Sequence, residues 1–308
     1  MISWTGSDKP IGTIGVIGAG NMGKCIISKL IEQGRSVTVF DAFPEALRWA
    51  RDNGAGTAPS PLALAKECAV IIMSLPGPAQ IETVLFGEAG MYEGLSPDSV
   101  LVDTSTVDPD TTKTNARRTA ERGAAYLDCP ILGRPSAAGK WLLPTGGDSA
   151  VLDYVRPVLL AFAREAIHVG ESGAGNALKL LNQMMFSAIN AVTCETLAIA
   201  DHVGIDRKIF YETVANSGAA TVSGLFKEVG KNIVDENFDN PTFTVDLLIK
   251  DARFALEMAK AADAPSIISS SVQTYNQLGH ASGMGNLDTS ALVHLFEKLY
   301  QKDHRRLP

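Results

Sequence analysis

A short apolar run, Ile14-Gly15-Val16-Ile17, ends in Gly18-Ala19-Gly20-Asn21-Met22-Gly23 and passes directly into residues with helical spacing. Three glycines in this G-x-G-x-x-G pattern, at the junction of a strand and a helix, leave few folds open. Gly18 permits a tight turn, Gly20 lets main chain approach a ligand, and Gly23 lets the helix pack closely on the strand. The N–H groups at the start of such a helix point outward, and its dipole favours negative charge above them. Residues 18–23 (Gly18, Ala19, Gly20, Asn21, Met22, Gly23) are therefore candidate contacts for the pyrophosphate of a dinucleotide. The glycines alone would also suit an ordinary strand-to-helix turn, so their surroundings decide.

Those surroundings favour the dinucleotide. The next strand, Val37-Thr38-Val39-Phe40, ends in Asp41, at the spacing of a ribose hydroxyl acceptor. A carboxylate there would repel a 2′-phosphate, and Ala42-Phe43-Pro44 follows with no arginine, so NAD is expected rather than NADP. Short β-branched runs at 13–17, 36–40, 68–73, 99–103, 124–128 and 167–169 read as strands, alternating with helical patterns such as 22–33 and 108–122. Alternation of this kind implies a Rossmann-type, doubly wound, mainly parallel sheet covered on both faces.

Beyond Gly170 strand signals nearly vanish. A helical pattern opens at Gly173-Ala174-Gly175 and runs to about His202 without proline, with further helices expected at 206–215, 246–262, 265–282 and 290–300. The reading is an NAD-binding Rossmann domain over 1–172 and an all-helical substrate and dimerisation domain over 173–308. At 1.5 Å per residue the long helix would span roughly 40 Å, enough to serve an interdomain contact and an oligomer interface together.

Composition narrows the function classes. Among 308 residues, 45% are hydrophobic and 20% charged, with 27 basic against 34 acidic side chains for a net charge of −7. That balance argues against nucleic-acid and anionic-membrane partners, while leaving room for a small anion in a locally positive pocket. Residues 1–10 show no basic-then-apolar leader pattern and the apolar runs are too short to span a membrane, so a cytoplasmic location is expected. Cys25, Cys68, Cys129 and Cys194 are far apart and read as reduced core residues. The histidines (His168, His202, His280, His294, His304) lack metal-ligand spacing, so no metal is expected.

Two groups remain for chemistry. Leu75-Pro76 and Thr104-Ser105-Thr106 follow strands, where ligands of open α/β sheets bind, although a turn and a helix cap would explain them equally. On the long helix Lys179, Asn182, Gln183 and Asn190 return to one face at offsets of three, four and eleven, among otherwise apolar residues. One charge and three amides suit a lined cavity better than a solvated stripe. A buried lysine has its pKa lowered and can act as acid/base; the plain alternative for Lys179 is a snorkelling surface side chain.

Together these blocks resemble the β-hydroxyacid dehydrogenase family, whose members include 3-hydroxyisobutyrate dehydrogenase. The resemblance runs from Ile11 to about Tyr300 through Gly18 to Gly23, Asp128-Cys129-Pro130-Ile131-Leu132-Gly133, Gly173-Ala174-Gly175-Asn176-Ala177-Leu178-Lys179-Leu180-Leu181-Asn182-Gln183 and Phe243-Thr244-Val245-Asp246-Leu247-Leu248-Ile249-Lys250-Asp251. It implies that Lys179 is the acid/base with Asn182 beside it, and that Gly133 and Gln183 are candidate substrate contacts. It further implies that Leu75, Pro76, Thr106 and Lys250 line the cofactor, with catalysis in an interdomain cleft and a homodimer or homotetramer as the assembly.

One block departs from the family's D-A-P-V-S-G-G: Leu132 stands at the serine and Arg134 at the second glycine. A guanidinium offers a charged fork for carboxylate, sulfonate or phosphate, and Gly133-Arg134 is similar to the loop of sulfolactaldehyde reductases; capping a loop is the alternative role for Arg134. The expected activity is hydride transfer between NAD(H) and a small anionic 3-hydroxy acid or semialdehyde. A sulfonate-specific reductase, an imine reductase and a non-catalytic nucleotide-binding module are alternatives. Lys179 weighs against the imine reductase, because those enzymes generally carry aspartate or tyrosine there, and Lys179 with Asn182 weighs against the inert module.

Overall fold

The structure, a computed structural model, describes residues 10–300. The leader reading of 1–9 and His304 lie outside the described residues. The chain divides into two compact units with the boundary between Lys179 and Leu180.

The first unit alternates strands and helices: β1 (Ile14–Ile17), α1 (Asn21–Glu32), β2 (Val37–Phe40), α2 (Pro44–Asp52), β3 (Gly56–Thr57), α3 (Pro61–Glu67), β4 (Val70–Met73) and α4 (Pro78–Phe86). It continues through β5 (Val100–Asp103), α5 (Pro109–Ala120), β6 (Ala125–Asp128), β7 (Trp141–Gly146), α6 (Ser149–Leu159) and β8 (Ala163–Gly170), and includes the start of α7 (Ala174–His202). The strands form one sheet in the order β3-β2-β1-β4-β5-β6-β7-β8. Pairing is parallel except between β6 and β7, where Asp128 faces Gly146. β1 lies between β2 and β4 in matched register, Ile14 opposite both Val37 and Val70. The direction of winding reverses between β1 and β4, which makes the carboxyl ends of these two strands the place where such a sheet opens for a ligand.

Because strand side chains alternate, β1, β4 and β5 feed two separate cores. Val16, Ile72 and Val102 join one buried cluster, while Ile17, Ile71, Met73 and Leu101 join the other. Both faces are thus covered, as the continuous apolar runs require. At Gly15 an added Cβ would lie 2.4 Å from Leu64 Cδ2, so the missing side chain is what lets α3 sit against β1.

The second unit holds the remainder of α7 with α8 (Arg207–Asn216), α9 (Gly224–Val234), α10 (Val245–Ala261), α11 (Ile267–Gly279) and α12 (Val293–Tyr300). Its core gathers Cys194, Leu197, Phe226, Ile233, Val245, Leu248 and Leu292. Two buried amides bond across it: the Asn190 side chain donates to the Thr289 carbonyl at 3.1 Å and that of Asn276 to Ser187 Oγ at 2.8 Å. The helix expected over 265–282 ends at Gly279 and gives way to a wider turn, His280–Met284, because Gly283 takes a φ of 85°. The one expected over 290–300 is preceded by a tight turn, Thr289–Leu292, and becomes α-helical at Val293. Among the described residues no helix is long and apolar enough to cross a membrane.

Candidate active site

The glycine loop joins β1 to α1 with each glycine under a different constraint. Gly18 has φ 94°, and a Cβ there would stand 2.2 Å from the Ser74 carbonyl oxygen at the end of β4. At Gly23 a Cβ would stand 1.9 Å from the Gly18 oxygen, so the helix starts hard against the turn. Gly20 is the opposite case: it is exposed, and no heavy atom lies within 4 Å of a Cβ placed there. It also occupies the N-cap of α1 without a capping side chain. Open space above uncapped amides at a helix start is what a pyrophosphate needs, so these residues fit a dinucleotide.

Asp41, at the end of β2, is tied to this loop. Its Oδ2 accepts from the Ala19 N–H at 2.7 Å and its Oδ1 from the Phe43 N–H at 2.8 Å. A carboxylate oxygen can accept a further bond, so Asp41 can orient the loop and still receive a ribose hydroxyl. Leu75 is half-buried and its N–H donates to Ser105 Oγ at 3.0 Å; Pro76 is exposed and Thr106 half-buried. The turns after β4 and β5 are therefore bonded to each other at the same sheet edge.

The start of α7 is fixed to that edge as well. Gly173 N–H donates to Asp128 Oδ1 and Asn176 N–H to Asp128 Oδ2, both at 2.8 Å. The Asn176 side chain accepts from the Val107 N–H at 3.2 Å and donates to Thr112 Oγ1 at 3.1 Å. Gly175 makes the approach possible, since a Cβ there would lie 2.5 Å from the Asp128 carbonyl oxygen. Burial pushes the Asp128 carboxyl up to about 6, against the pull of the Gly173 and Asn176 N–H groups. Beside it Asp103 accepts from the Tyr126 hydroxyl at 2.7 Å, and burial with the Asp103 charge holds that phenol well above its ordinary range. Lys179, half-buried, follows Asn176 by one helical turn.

The loop after β6 carries Gly133 and Arg134. Gly133 has φ 152°, and a Cβ would fall 2.4 Å from the Trp141 ring. The buried Trp141 indole donates to the Arg134 carbonyl at 2.7 Å, and Arg134, half-buried, precedes the short turn Pro135–Ala137 without capping it through its side chain. In the second unit Asn182 is exposed, whereas Gln183 is buried and donates to Asp251 Oδ2 at 2.7 Å. Lys250, with a side chain 22% exposed, lies 3.2 Å from Asp251 Oδ1.

The four polar residues of the long helix therefore do not share one environment. Gln183 and Asn190 lie on the buried face with Ser187 and Cys194, Lys179 is at its edge, and Asn182 falls outside it. A step of three residues turns a helix by 300°, which sets Asn182 about 60° away from Lys179. Sequence reasoning gave no role to Asp128, Asn176 or Asp251; the Asp and Asn stood inside the quoted blocks, but nothing local marks their bonds. Cys68, Cys129 and Cys194 are buried, and burial pushes the Cys68 and Cys194 thiols up to about 12, which leaves them inert.

A dinucleotide loop at the switch point of a doubly wound sheet, with a lysine helix anchored to the same edge, defines a nicotinamide-dependent dehydrogenase. A family model for the NAD binding domain of 6-phosphogluconate dehydrogenase matches residues 13–170, and one for the NAD-binding region of NADP-dependent 3-hydroxyisobutyrate dehydrogenase matches 173–296. The chain is 33% identical over 283 residues to 3-sulfolactaldehyde reductase of Escherichia coli (strain K12), covering 91% of this chain and 94% of that protein. It is 29% identical over 288 residues to 2-(hydroxymethyl)glutarate dehydrogenase of Eubacterium barkeri, covering 93% and 95%. The crystal structure of 3-hydroxyisobutyrate dehydrogenase from Salmonella typhimurium is similar with a TM-score of 0.85 at 26% identity, covering 92% of this chain and 99% of that one. The chain belongs to the β-hydroxyacid dehydrogenase family and is an oxidoreductase that uses a nicotinamide dinucleotide.

Proposed function

We propose that this enzyme interconverts a small anionic 3-hydroxy acid and its semialdehyde, with NAD(H) as cofactor and Lys179 as acid/base. The anchoring of α7 carries the reading. Asp128 and Asn176 hold the first turn of this helix at the carboxyl edge of the sheet, where the glycine loop, Leu75, Pro76 and Thr106 also lie. When bound there, the nicotinamide dinucleotide would supply the hydride acceptor or donor. As the alcohol is oxidised its C–H bond supplies that hydride, its O–H proton passes to the Lys179 amine, and a carbonyl forms. In reduction the Lys179 ammonium returns the proton to the carbonyl oxygen. Asn182 is assigned to the substrate hydroxyl, and Gln183, through Asp251, to support of Lys250 on the cofactor side. Asp41 favours NAD, since its charge would oppose a 2′-phosphate.

Arg134, with Gly133, is assigned to the anionic end of the substrate. The Trp141 bond to its carbonyl fixes the backbone from which the guanidinium projects. The similarity to 3-sulfolactaldehyde reductase favours a sulfonate as that anion. The test is NADH oxidation with sulfolactaldehyde and with succinic, methylmalonic and tartronic semialdehydes, by wild type and Arg134→Ala. The expected result is turnover of one of them, with kcat/KM reduced about 10- to 100-fold in the variant. Silence across the panel by a protein that binds NADH would overturn the assignment of substrate class. Equal turnover by the variant would remove Arg134 from the site.

A second copy of this chain is the proposed partner of α7. Leu181, Met185, Val192 and Ile199 are exposed and recur at offsets of four, seven and seven, on the side of the helix opposite Gln183, Ser187 and Cys194. A helix apolar on both sides is covered on both sides.

A further inference from the structure

Phe43 is 66% exposed, and among the described residues every other Phe, Tyr and Trp is buried or half-buried. It also breaks a local rule. Phe43 is the N-cap of α2, a position that favours Ser, Thr, Asp or Asn, and its side chain supplies no cap. A residue that neither caps its helix nor packs in a core, yet leaves most of an aromatic ring exposed, points to a use outside the fold.

Its place indicates the use. The Phe43 N–H donates to Asp41 Oδ1 at 2.8 Å, while the other oxygen of Asp41 holds Ala19 of the glycine loop. The Phe43 backbone is extended, φ −98° and ψ 121°, as the following Pro44 demands. The ring is thereby set two residues beyond the carboxylate spaced for the ribose hydroxyls. In a dinucleotide the adenine base is one glycosidic bond from that ribose. We propose that Phe43 is the platform on which the adenine base of the cofactor stacks. This rests on the dinucleotide assignment but not on the choice between NAD and NADP, which share the base. Stacking uses the face of a base rather than its hydrogen-bonding edge, so the platform holds a purine with little regard to its substituents.

The experiment compares wild type, Phe43→Ala and Phe43→Tyr as full-length proteins, with thermal melts to confirm folding. Dissociation constants are measured by calorimetry for NADH, for NADPH, for 5′-AMP and for reduced nicotinamide mononucleotide, which lacks the adenylate half. The expected result is that Phe43→Ala weakens NADH and AMP about tenfold and leaves the mononucleotide unchanged, while Phe43→Tyr behaves as wild type. Wild-type binding of NADH or NADPH tests the dinucleotide assignment separately, and absence of both would overturn it together with the platform. A wild-type protein that binds dinucleotide, beside a Phe43→Ala variant that binds it equally well or loses the mononucleotide to the same degree, would overturn the platform alone.

Discussion

The Asp128 carboxylate and the Asn176 main chain are joined by a 2.8 Å hydrogen bond across 48 positions of sequence. Through it the last residue of β6 becomes the cap of the helix that presents Lys179. Asn176 then reaches in the other direction with its side chain, to Val107 and Thr112. Helix starts need partners for their free N–H groups, and here the sheet supplies them.

This cap has a pH signature. Burial raises the Asp128 carboxyl from 3.8 to about 6. Between those values the folded chain retains a proton that the unfolded chain has released, so the stabilising contribution of the neutral acid is lost as pH rises toward 6. In urea unfolding at pH 4.5 and 7.5, the stability of Asp128→Asn relative to wild type should improve by about 2 kcal/mol at the higher pH. A constant difference would mean that Asp128 titrates as it does in the unfolded chain.

Replacing Lys179 by Met keeps the apolar stem and removes the amine. The expected loss in kcat is about 10²- to 10⁴-fold, with the NADH dissociation constant unchanged by protein fluorescence. Parent-level turnover would assign the proton transfer to another group.

Asp41→Asn keeps an oxygen for the Ala19 N–H while removing the charge. The ratio of kcat/KM for NADH over NADPH should fall by about tenfold or more, read from steady-state rates with each cofactor. An unchanged ratio would show that the charge does not set the preference.

Val192→Glu places a carboxylate in the exposed apolar stripe of α7. Sedimentation of wild type should give a species larger than one chain, and the variant should shift toward the monomer with an unchanged circular dichroism spectrum. A monomeric wild type would leave the stripe to some other partner.

Much of the first unit was legible because its strands are short β-branched runs bounded by Gly, Pro or Asp. The expected strands begin one or two residues early, since Thr13, Ser36 and Ser99 extend the pattern just ahead of the first paired positions. β3 escaped notice because two residues, Gly56 and Thr57, carry no period. β7 escaped because Pro144 and Gly146 read as a loop. In β8, Arg164, Glu165 and His168 mask a strand at the edge of the sheet, where one side can be polar, so that only 167–169 was expected. The glycine loop and Asp41 stand out as candidates because local spacing marks them, and Lys179 stands out through the resemblance of the block that carries it. The Asp128–Asn176 and Gln183–Asp251 bonds span 48 and 68 positions, and no window along the chain contains both partners.

Trp141 has its indole N–H on the Arg134 carbonyl, its ring against Gly133, and Phe162 at its edge, 6.4 Å between centroids. Among the described residues Trp49 is the only other tryptophan, and it is half-buried on α2. The loop assigned to the substrate is thus wired to a native fluorophore. In a background with Trp4 and Trp49 both replaced by Phe, emission from Trp141 would report motion of Gly133 and Arg134 directly, which gives this chain a label-free optical sensor for whatever anion it binds.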